Sequence, residues 1–156
     1  MSHLRGEPKR IADQLLRSLN GDAWHGPSLL ELLSDVSPDR AAVQSVDGAH
    51  SIWELILHVR AWIQAAGRML DGHVTELIES EDWPPTDARN WVEDVQKLSE
   101  AVEELASRIE AMSPEQLSQT VAGRSYSIYE LLHGVVQHNL YHAGQIAILK
   151  RAAGQR

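Results

Sequence analysis

Histidine is the residue type whose spacing in this sequence could do chemistry, and the chain contains eight of them. His138 and His142 are four residues apart in a segment with helical periodicity. At about 100° per residue, their side chains lie within about 40° of each other on a helix. Neutral imidazole is a common ligand of zinc and other divalent metals. Because a His-x3-His pair also arises by chance, this spacing alone is weak evidence for a metal site.

Helical phase strengthens the case for this pair. His142 falls inside the apolar stripe of its predicted helix, and His138 falls on the flank of that stripe, whereas His133 falls on roughly the opposite face. Two imidazoles one turn apart on the edge that faces a bundle interior can converge on one ion. We therefore treat the pair as candidate metal ligands. The stripe consists of Ile128, Leu132, Val135, Ile146 and Leu149.

A third ligand is expected from a neighbouring helix, and His58 is the candidate. It flanks the apolar stripe of its own predicted helix, which contains Leu55, Val59, Trp62 and Ala66. His73 shares that stripe only if the helix continues through Gly72, so we rank it lower. Structural roles are expected for the histidines of the tail and loops, although one of them, His25, could reach the mouth of a site. These are His3, His25 and His50.

Two capping boxes begin the helices that must position these histidines. Residues 51–54 and 127–130 both follow the pattern Ser-Ile-aromatic-Glu, in which serine and glutamate cap each other's backbone amides. The first helix is predicted to end near residues 71–72 and the second near Ala153. Two further long helices are predicted at about 7–20 and 87–111. Residues 79–86 must be a connection, because consecutive prolines at 84 and 85 cannot lie inside a helix.

Four long amphipathic helices predict an all-α four-helix bundle of the up-and-down type, with a crossover between the early helices left open. Short extra helical turns are expected in the connections, at 29–33 and after the Ser-Pro pairs at 37–38 and 113–114. The 156 residues are the length of one domain, which we assign to 1–156.

Composition excludes several classes of function. The chain has no cysteine, so disulfides, thiolate metal sites and cysteine nucleophiles are ruled out. A net charge of −8 disfavours nucleic-acid binding, which depends on basic surfaces. The sequence has no apolar run long enough for a membrane helix and no apolar segment typical of a secretory signal near Met1. A soluble, cytoplasmic protein is the default expectation.

The sequence resembles the DinB/YfiT-like superfamily over nearly its whole length. The resemblance rests on Trp-His-Gly-Pro-Ser at 24–28, Ser-Ile-Trp-Glu-Leu at 51–55 with His58, and Tyr-Ser at 126–127. Its most specific part is His-Asn-Leu-Tyr-His-Ala-Gly-Gln-Ile at 138–146. It implies a four-helix bundle with a three-histidine metal site, with one ligand on the second helix and two on the fourth. Those positions correspond to His58, His138 and His142, the same residues that helical phase selects.

Three imidazoles leave coordination positions open, as catalytic zinc sites do. Zinc or nickel is the expected divalent metal, although copper and iron also accept imidazole. The second nitrogen of each ligand should find an orienting partner. Tyr141 could face either solvent or the site, and helix packing is the expected reason for Gly144. No carboxylate stands at a fixed offset to act as a general base. The candidates for the orienting partner are Glu54, Gln137, Asn139 and Gln145.

Three functional interpretations stay open at the sequence level. The first is a metal-dependent enzyme, which the resemblance narrows to a low-molecular-weight-thiol-dependent transferase or isomerase, or to a metal-dependent hydrolase. The second is a metal- or small-ligand-binding protein without turnover. The third is a stress-related bundle that acts through dimerisation. The apolar residues of the early helices are consistent with a homodimer. The sequence does not identify the substrate.

Overall fold

The computed structural model describes residues 6–86 and 90–153, and within them the fold is helical. Two predicted features, His3 and the start of the third long helix at residues 87–89, lie outside the described residues. Seven α-helices and one short 3-10 helix are present in the described part. They are α1 (Glu7–Leu19), α2 (Leu29–Leu33), α3 (Pro38–Ala42), α4 (Ile52–Leu70), α5 (Glu79–Asp82), α6 (Trp91–Glu110), the 3-10 helix Gln116–Ser118, and α7 (Ile128–Ala153).

Both predicted capping boxes are present and fix where α4 and α7 begin. The Ser51 amide donates to Glu54 Oε2 over 2.7 Å, and the Glu54 amide donates to Ser51 Oγ over 3.2 Å. The same reciprocal pair joins Ser127 and Glu130, with distances of 2.7 and 3.2 Å. Each box satisfies amides that the first turn of a helix leaves without an intrahelical partner. The register of the histidines on α4 and α7 is therefore set at these two points.

The connection between α4 and α6 differs in part from its prediction. Residues 79–86 were expected to be a connection, and they contain one helical turn, α5, before the two prolines end it. Asn90 then caps α6 by accepting from the Val92 and Glu93 amides. The short turns after Ser28 and Ser37 are helical as expected.

The four long helices form the predicted four-helix bundle. α1 packs against α6 and α7, and α4 packs against the same two helices, so α1 is diagonal to α4 and α6 is diagonal to α7. The connection between the early helices is thus a crossover, and a second diagonal connection, which the sequence did not predict, joins α6 to α7. The interior is apolar and continuous along the bundle. It includes Leu15, Ile56, Leu98, Leu132 and Ile146, all almost fully buried.

No helix within the described ranges combines the length and the hydropathy needed to cross a membrane. The only strand-like contact there is a single antiparallel bridge between Thr120 and Ser127. This bridge holds the turn that leads into α7. The all-α prediction is confirmed for the described part of the chain.

Candidate metal centre

Three histidine rings meet between α4 and α7, and they are the three that the sequence selects. The Nε2 atom of His138 lies 3.1 Å from Nε2 of His58 and 3.1 Å from Nε2 of His142. One ring nitrogen from each of the three residues lies within 4.8 Å of the other two. His58 and His142 are buried, with 6% and 5% of their surface exposed, and His138 is half-buried. The cluster therefore combines close convergence with limited access for water.

The outer nitrogens of two rings are held by hydrogen bonds, and this orients their inner nitrogens. Nδ1 of His58 donates to the Asp82 carbonyl oxygen over 2.9 Å and lies 3.0 Å from the Asp82 carboxylate. Nδ1 of His142 lies 2.6 Å from Oε1 of Gln145. When Nδ1 carries the proton, Nε2 presents its lone pair to the cluster. Such outer partners are typical of metal-binding histidines.

Burial disfavours the protonated form of His138 and of His142. Burial, reinforced by the neighbouring His142 and His58 rings, lowers the pKa of His138 from 6.5 to about 3. Burial also lowers the pKa of His142, while its hydrogen bond with Gln145 acts in the opposite direction. A metal competes with protons for the imidazole lone pair, so low pKa values favour metal binding at neutral pH.

Two of the three separations between the Nε2 atoms are close to those expected around a tetrahedral metal ion. Zinc–nitrogen bonds of about 2.0–2.1 Å place two ligand nitrogens roughly 3.3 Å apart at tetrahedral angles, close to the two 3.1 Å separations. Without a cation the contacts cannot all be favourable. A single proton on His138 Nε2 can point at only one of its two neighbours, which leaves the Nε2 lone pair of the other neighbour without a donor. A cation among the three nitrogens accepts every lone pair.

Asp82 contacts the histidine cluster, and the sequence did not predict this contact. It lies at the end of α5, 24 residues beyond His58, and its carboxylate also accepts a 2.7 Å hydrogen bond from Trp62 Nε1. A carboxylate at a fixed offset from one of the histidines would lie on the same helix as that histidine. Asp82 lies on a different helix, α5, so no short-range spacing in the sequence indicates its contact with His58.

Of the four orienting partners proposed from the sequence, Gln145 contacts a histidine of the cluster, His142. The Glu54 carboxylate accepts from the Ser51 amide in the capping box, and Gln137 is exposed. Asn139 is buried on the other side of α7, where its amide donates to Ser18 Oγ of α1 over 3.1 Å. These three were wrong as partners of the cluster, because each is committed elsewhere or points away.

The remaining histidines stay outside the cluster. His133 packs against Tyr129, in agreement with its predicted opposite face. His73 is exposed in the segment that follows α4, and His25 lines a separate depression on the α1–α7 surface. His50, for which a structural role was expected, stacks its ring on Trp83 at 3.5 Å, and the other face of Trp83 stacks on His58 at 4.0 Å.

Tyr141 and Gly144, two residues of α7 near His142, are both exposed. Tyr141 is 65% exposed, and its ring centroid lies 5.1 Å from that of His142, so it borders the cluster from the solvent side. Gly144 is exposed, and a Cβ atom added there would meet nothing within 4 Å. Close helix packing was therefore the wrong reason for this glycine.

Two cavities border the cluster. Cavity A, of about 500 Å³, lies between residues 46–55 and the C-terminal half of α7, and His142, Gln145, His50 and Trp83 are part of its wall. Cavity B, of about 470 Å³, lies along the N-terminal half of α7, where His138 and Trp62 are part of its wall. The wall of each cavity therefore contains one histidine of the cluster, His142 in cavity A and His138 in cavity B.

Fold and site together define a class: helical bundles in which a buried three-histidine group joins two helices and is compatible with a divalent metal. The family model of the DinB superfamily matches residues 14–146, and the chain belongs to that superfamily. Searches of characterised proteins and of solved structures give no match. The family assignment made from the sequence motifs is thus confirmed.

Proposed function

We propose that this protein binds one divalent metal ion through Nε2 of His58, His138 and His142 and uses it as the centre of an enzyme. The observation that carries the proposal is the convergence of three Nε2 atoms, two of them fixed by hydrogen bonds at Nδ1. Three protein ligands with space beside them are typical of catalytic rather than structural zinc sites. Zinc or nickel fits an all-imidazole ligand set.

The proposed reaction class is a low-molecular-weight-thiol-dependent transfer or a hydrolysis. A metal in this position supplies Lewis acidity, which lowers the pKa of a bound thiol or water molecule. The side chains around the histidines would orient the rings and limit the access of water. Asp82 and Gln145 hold the rings in one tautomer, and the stacked Trp83 excludes water from one side of His58.

His50 is the side chain that stacks on Trp83 in the wall of cavity A. Its side chain is 46% exposed, and its Nδ1 is 3.7 Å from Glu54 Oε2. We assign His50 no catalytic role beyond this position.

Metal content is the first test of the proposal. Protein purified without a nickel column should contain about one equivalent of zinc or nickel by mass spectrometry, and the His138→Ala/His142→Ala double variant should contain almost none. His133→Ala is the matched control, because it removes a histidine of the same helix that lies outside the cluster. No metal in the wild type, even after reconstitution with zinc and nickel, would overturn the metalloenzyme proposal.

Turnover separates the enzyme from a protein that only binds metal. The loaded protein is incubated with a small thiol and electrophilic acceptors, and separately with ester and amide substrates. Consumption of thiol supports the transferase, and hydrolysis without thiol supports the hydrolase. One equivalent of metal with no reaction in either screen would favour the alternative, a non-catalytic metal- or ligand-binding bundle.

A further inference from the structure

Cavity B has a mostly apolar, partly aromatic wall that includes a histidine of the cluster. Trp62, Tyr126, Leu131 and Val135 supply most of that wall, and His138 is part of it. Its volume of about 470 Å³ is within the range of small-molecule sites, which are mostly apolar with a few polar groups that fix orientation. Here one such polar group is His138 of the histidine cluster.

The aromatic wall of cavity B is held rigidly against the cluster. Trp62 Nε1 donates to Asp82 Oδ1 over 2.7 Å, and the indole lies edge-on to His138 with ring centroids 6.1 Å apart. The same Asp82 holds His58. One carboxylate therefore positions both a proposed ligand of the metal and the wall of the adjoining cavity. A wall fixed in advance lowers the entropy cost of binding a ligand.

Gly134 is part of the wall of cavity B, and the absence of a side chain there leaves space in the cavity. It lies in the interior of α7, where glycine destabilises a helix by roughly 0.5–1 kcal/mol relative to alanine. Packing does not require it, because a Cβ atom added there would meet nothing within 4 Å. A side chain at this position would instead extend into the cavity that Gly134 lines.

The charged residue in the wall of cavity B is committed to capping α7. Glu130 Oε2 accepts from the Ser127 amide over 2.7 Å and from Ser127 Oγ over 2.9 Å, and these bonds lower the pKa of the carboxyl. The carboxylate of Glu130 therefore stabilises the first turn of α7. What the cavity offers a ligand is mainly aromatic and aliphatic surface.

We propose that cavity B binds a flat, uncharged apolar group, such as an aromatic ring, of the substrate whose donor atom faces the histidine cluster. This inference rests on the proposed metal site and adds the class of substrate to it. Cavity A is also mostly apolar, although His50, Tyr141 and Gln145 are part of its wall. Cavity B is distinguished by Gly134, which packing does not require, and by the indole of Trp62 that Asp82 holds in place.

The test compares two thiols on cobalt-loaded protein under anaerobic conditions. Benzyl mercaptan and 2-mercaptoethanol are titrated, and the sulfur-to-cobalt charge-transfer band reports binding at the metal. Benzyl mercaptan should bind about tenfold more tightly to the wild type, because its ring is removed from water. Gly134→Leu should remove this preference and leave binding of 2-mercaptoethanol unchanged.

Gly144→Leu is the matched control, because it places the same side chain on the same helix at an exposed glycine with equal free space, outside both cavities. It should keep the tenfold preference. Equal affinity of both thiols in the wild type, or a preference that persists in Gly134→Leu, would overturn the proposal and point to cavity A as the site of the ring.

A second measurement keeps the inference separate from the metal site. Saturation-transfer NMR with benzyl alcohol is run on metal-free wild type, Gly134→Leu and Gly144→Leu. The signal of the ring should fall in Gly134→Leu alone. If cobalt fails to bind while this pattern holds, the metal proposal fails and the apolar pocket stands. An undiminished signal in Gly134→Leu refutes the pocket whether or not metal binds.

Discussion

His58 and His142 differ in how firmly their outer nitrogens are held. Nδ1 of His58 faces two oxygen atoms of Asp82, the main-chain carbonyl and the carboxylate. Nδ1 of His142 has the single side-chain oxygen of Gln145. A main-chain acceptor survives any substitution of its residue, so the orientation of His58 has a support that the orientation of His142 lacks. The two rings should therefore respond unequally when their partners are removed.

Removing Gln145 should weaken metal binding more than removing the Asp82 side chain. Loss of an outer partner typically costs about 10–100-fold in metal affinity. We expect Gln145→Leu near the upper end of this range and Asp82→Ala near the lower end, because the Asp82 carbonyl still accepts from His58. Competition titration with a chromogenic zinc chelator measures both. Glu79→Gln, an exposed acidic residue of α5, is the control and should bind as the wild type does. Equal affinities in all four proteins would contradict the role of these partners.

The low pKa of His138 makes the metal-free fold sensitive to acid. The folded-state value of about 3 lies below the ordinary value of 6.5, so between these pH values the unfolded chain binds more protons. The contribution of neutral His138 to stability is therefore complete above pH 6.5 and is lost as the pH falls towards about 3. Carboxylates titrate in the same window, so the effect must be read from a comparison of variants.

Urea unfolding with chelator present should show this linkage between pH 7.5 and pH 4.5, a range set by the ordinary histidine pKa of about 6.5. The midpoint of His138→Asn should fall less on acidification than the midpoint of the wild type, because the asparagine side chain gains no proton in the unfolded state. His73→Asn replaces an exposed histidine and should follow the wild type. Parallel curves for the wild type and His138→Asn would show that burial does not suppress protonation of His138.

At the scale of elements, a buried carboxylate joins α4 to α6. Asp94 is 3% exposed, accepts from Trp53 Nε1 over 3.0 Å and pairs with Arg60 at 3.0 Å. Arg60 is itself largely buried, with 12% of its side chain exposed. Since α4 carries His58, this contact helps to fix the helix that presents one side of the histidine cluster.

Asp94→Ala should destabilise the protein by about 3 kcal/mol, because breaking a buried pair leaves a charge and an indole N–H without their acceptor. For a chain of this size that corresponds to a fall in melting temperature of about 6–12 °C. Asp94→Asn should cost less, since its amide oxygen still accepts from Trp53. Glu93→Ala removes an exposed ion pair with Lys97 and should change stability by less than about 1 kcal/mol. A similar loss for Asp94→Ala and Glu93→Ala would contradict this account.

The starts of helices and the phase of their side chains were accessible from the sequence because both are local. A capping box needs only residues three positions apart, and the inward face of α7 follows from 3.6 residues per turn. These two signals located α4, α7 and the convergence of His58, His138 and His142. Asp82 and the stacking of His50 on Trp83 were not accessible, because they depend on how the segment after α4 folds back over the cluster.

At the scale of the whole molecule, the diagonal placement of α1 and α4 determines which helices flank the cluster. α4 and α7 are neighbours in the bundle although long segments separate them in the chain, and the histidine cluster lies in their shared interface. α1 packs on the other side of α7, where Asn139 contacts Ser18. One face of α7 therefore carries the candidate metal site, and another face packs against α1 and continues into the exposed surface beside α1.

That surface carries a fully exposed tryptophan. Trp24 has a relative exposure of 102% and borders a shallow depression with Val136 and Leu140 of α7. Aromatic side chains are enriched at protein–protein interfaces. We expect the chain to form a homodimer in which a second copy covers Trp24.

Light scattering coupled to size-exclusion chromatography should give the mass of a dimer at high micromolar protein, and Trp24→Ser should shift the mass towards the monomer. Val92→Ser removes a similarly exposed apolar side chain, 70% accessible, from the outer face of α6 and should leave the dimer intact. The melting temperature of the wild type should rise with protein concentration, since association stabilises the folded chain, and that of Trp24→Ser should not. A monomeric wild type at every concentration would exclude the dimer, whereas a dimer unaffected by Trp24→Ser would place its interface elsewhere.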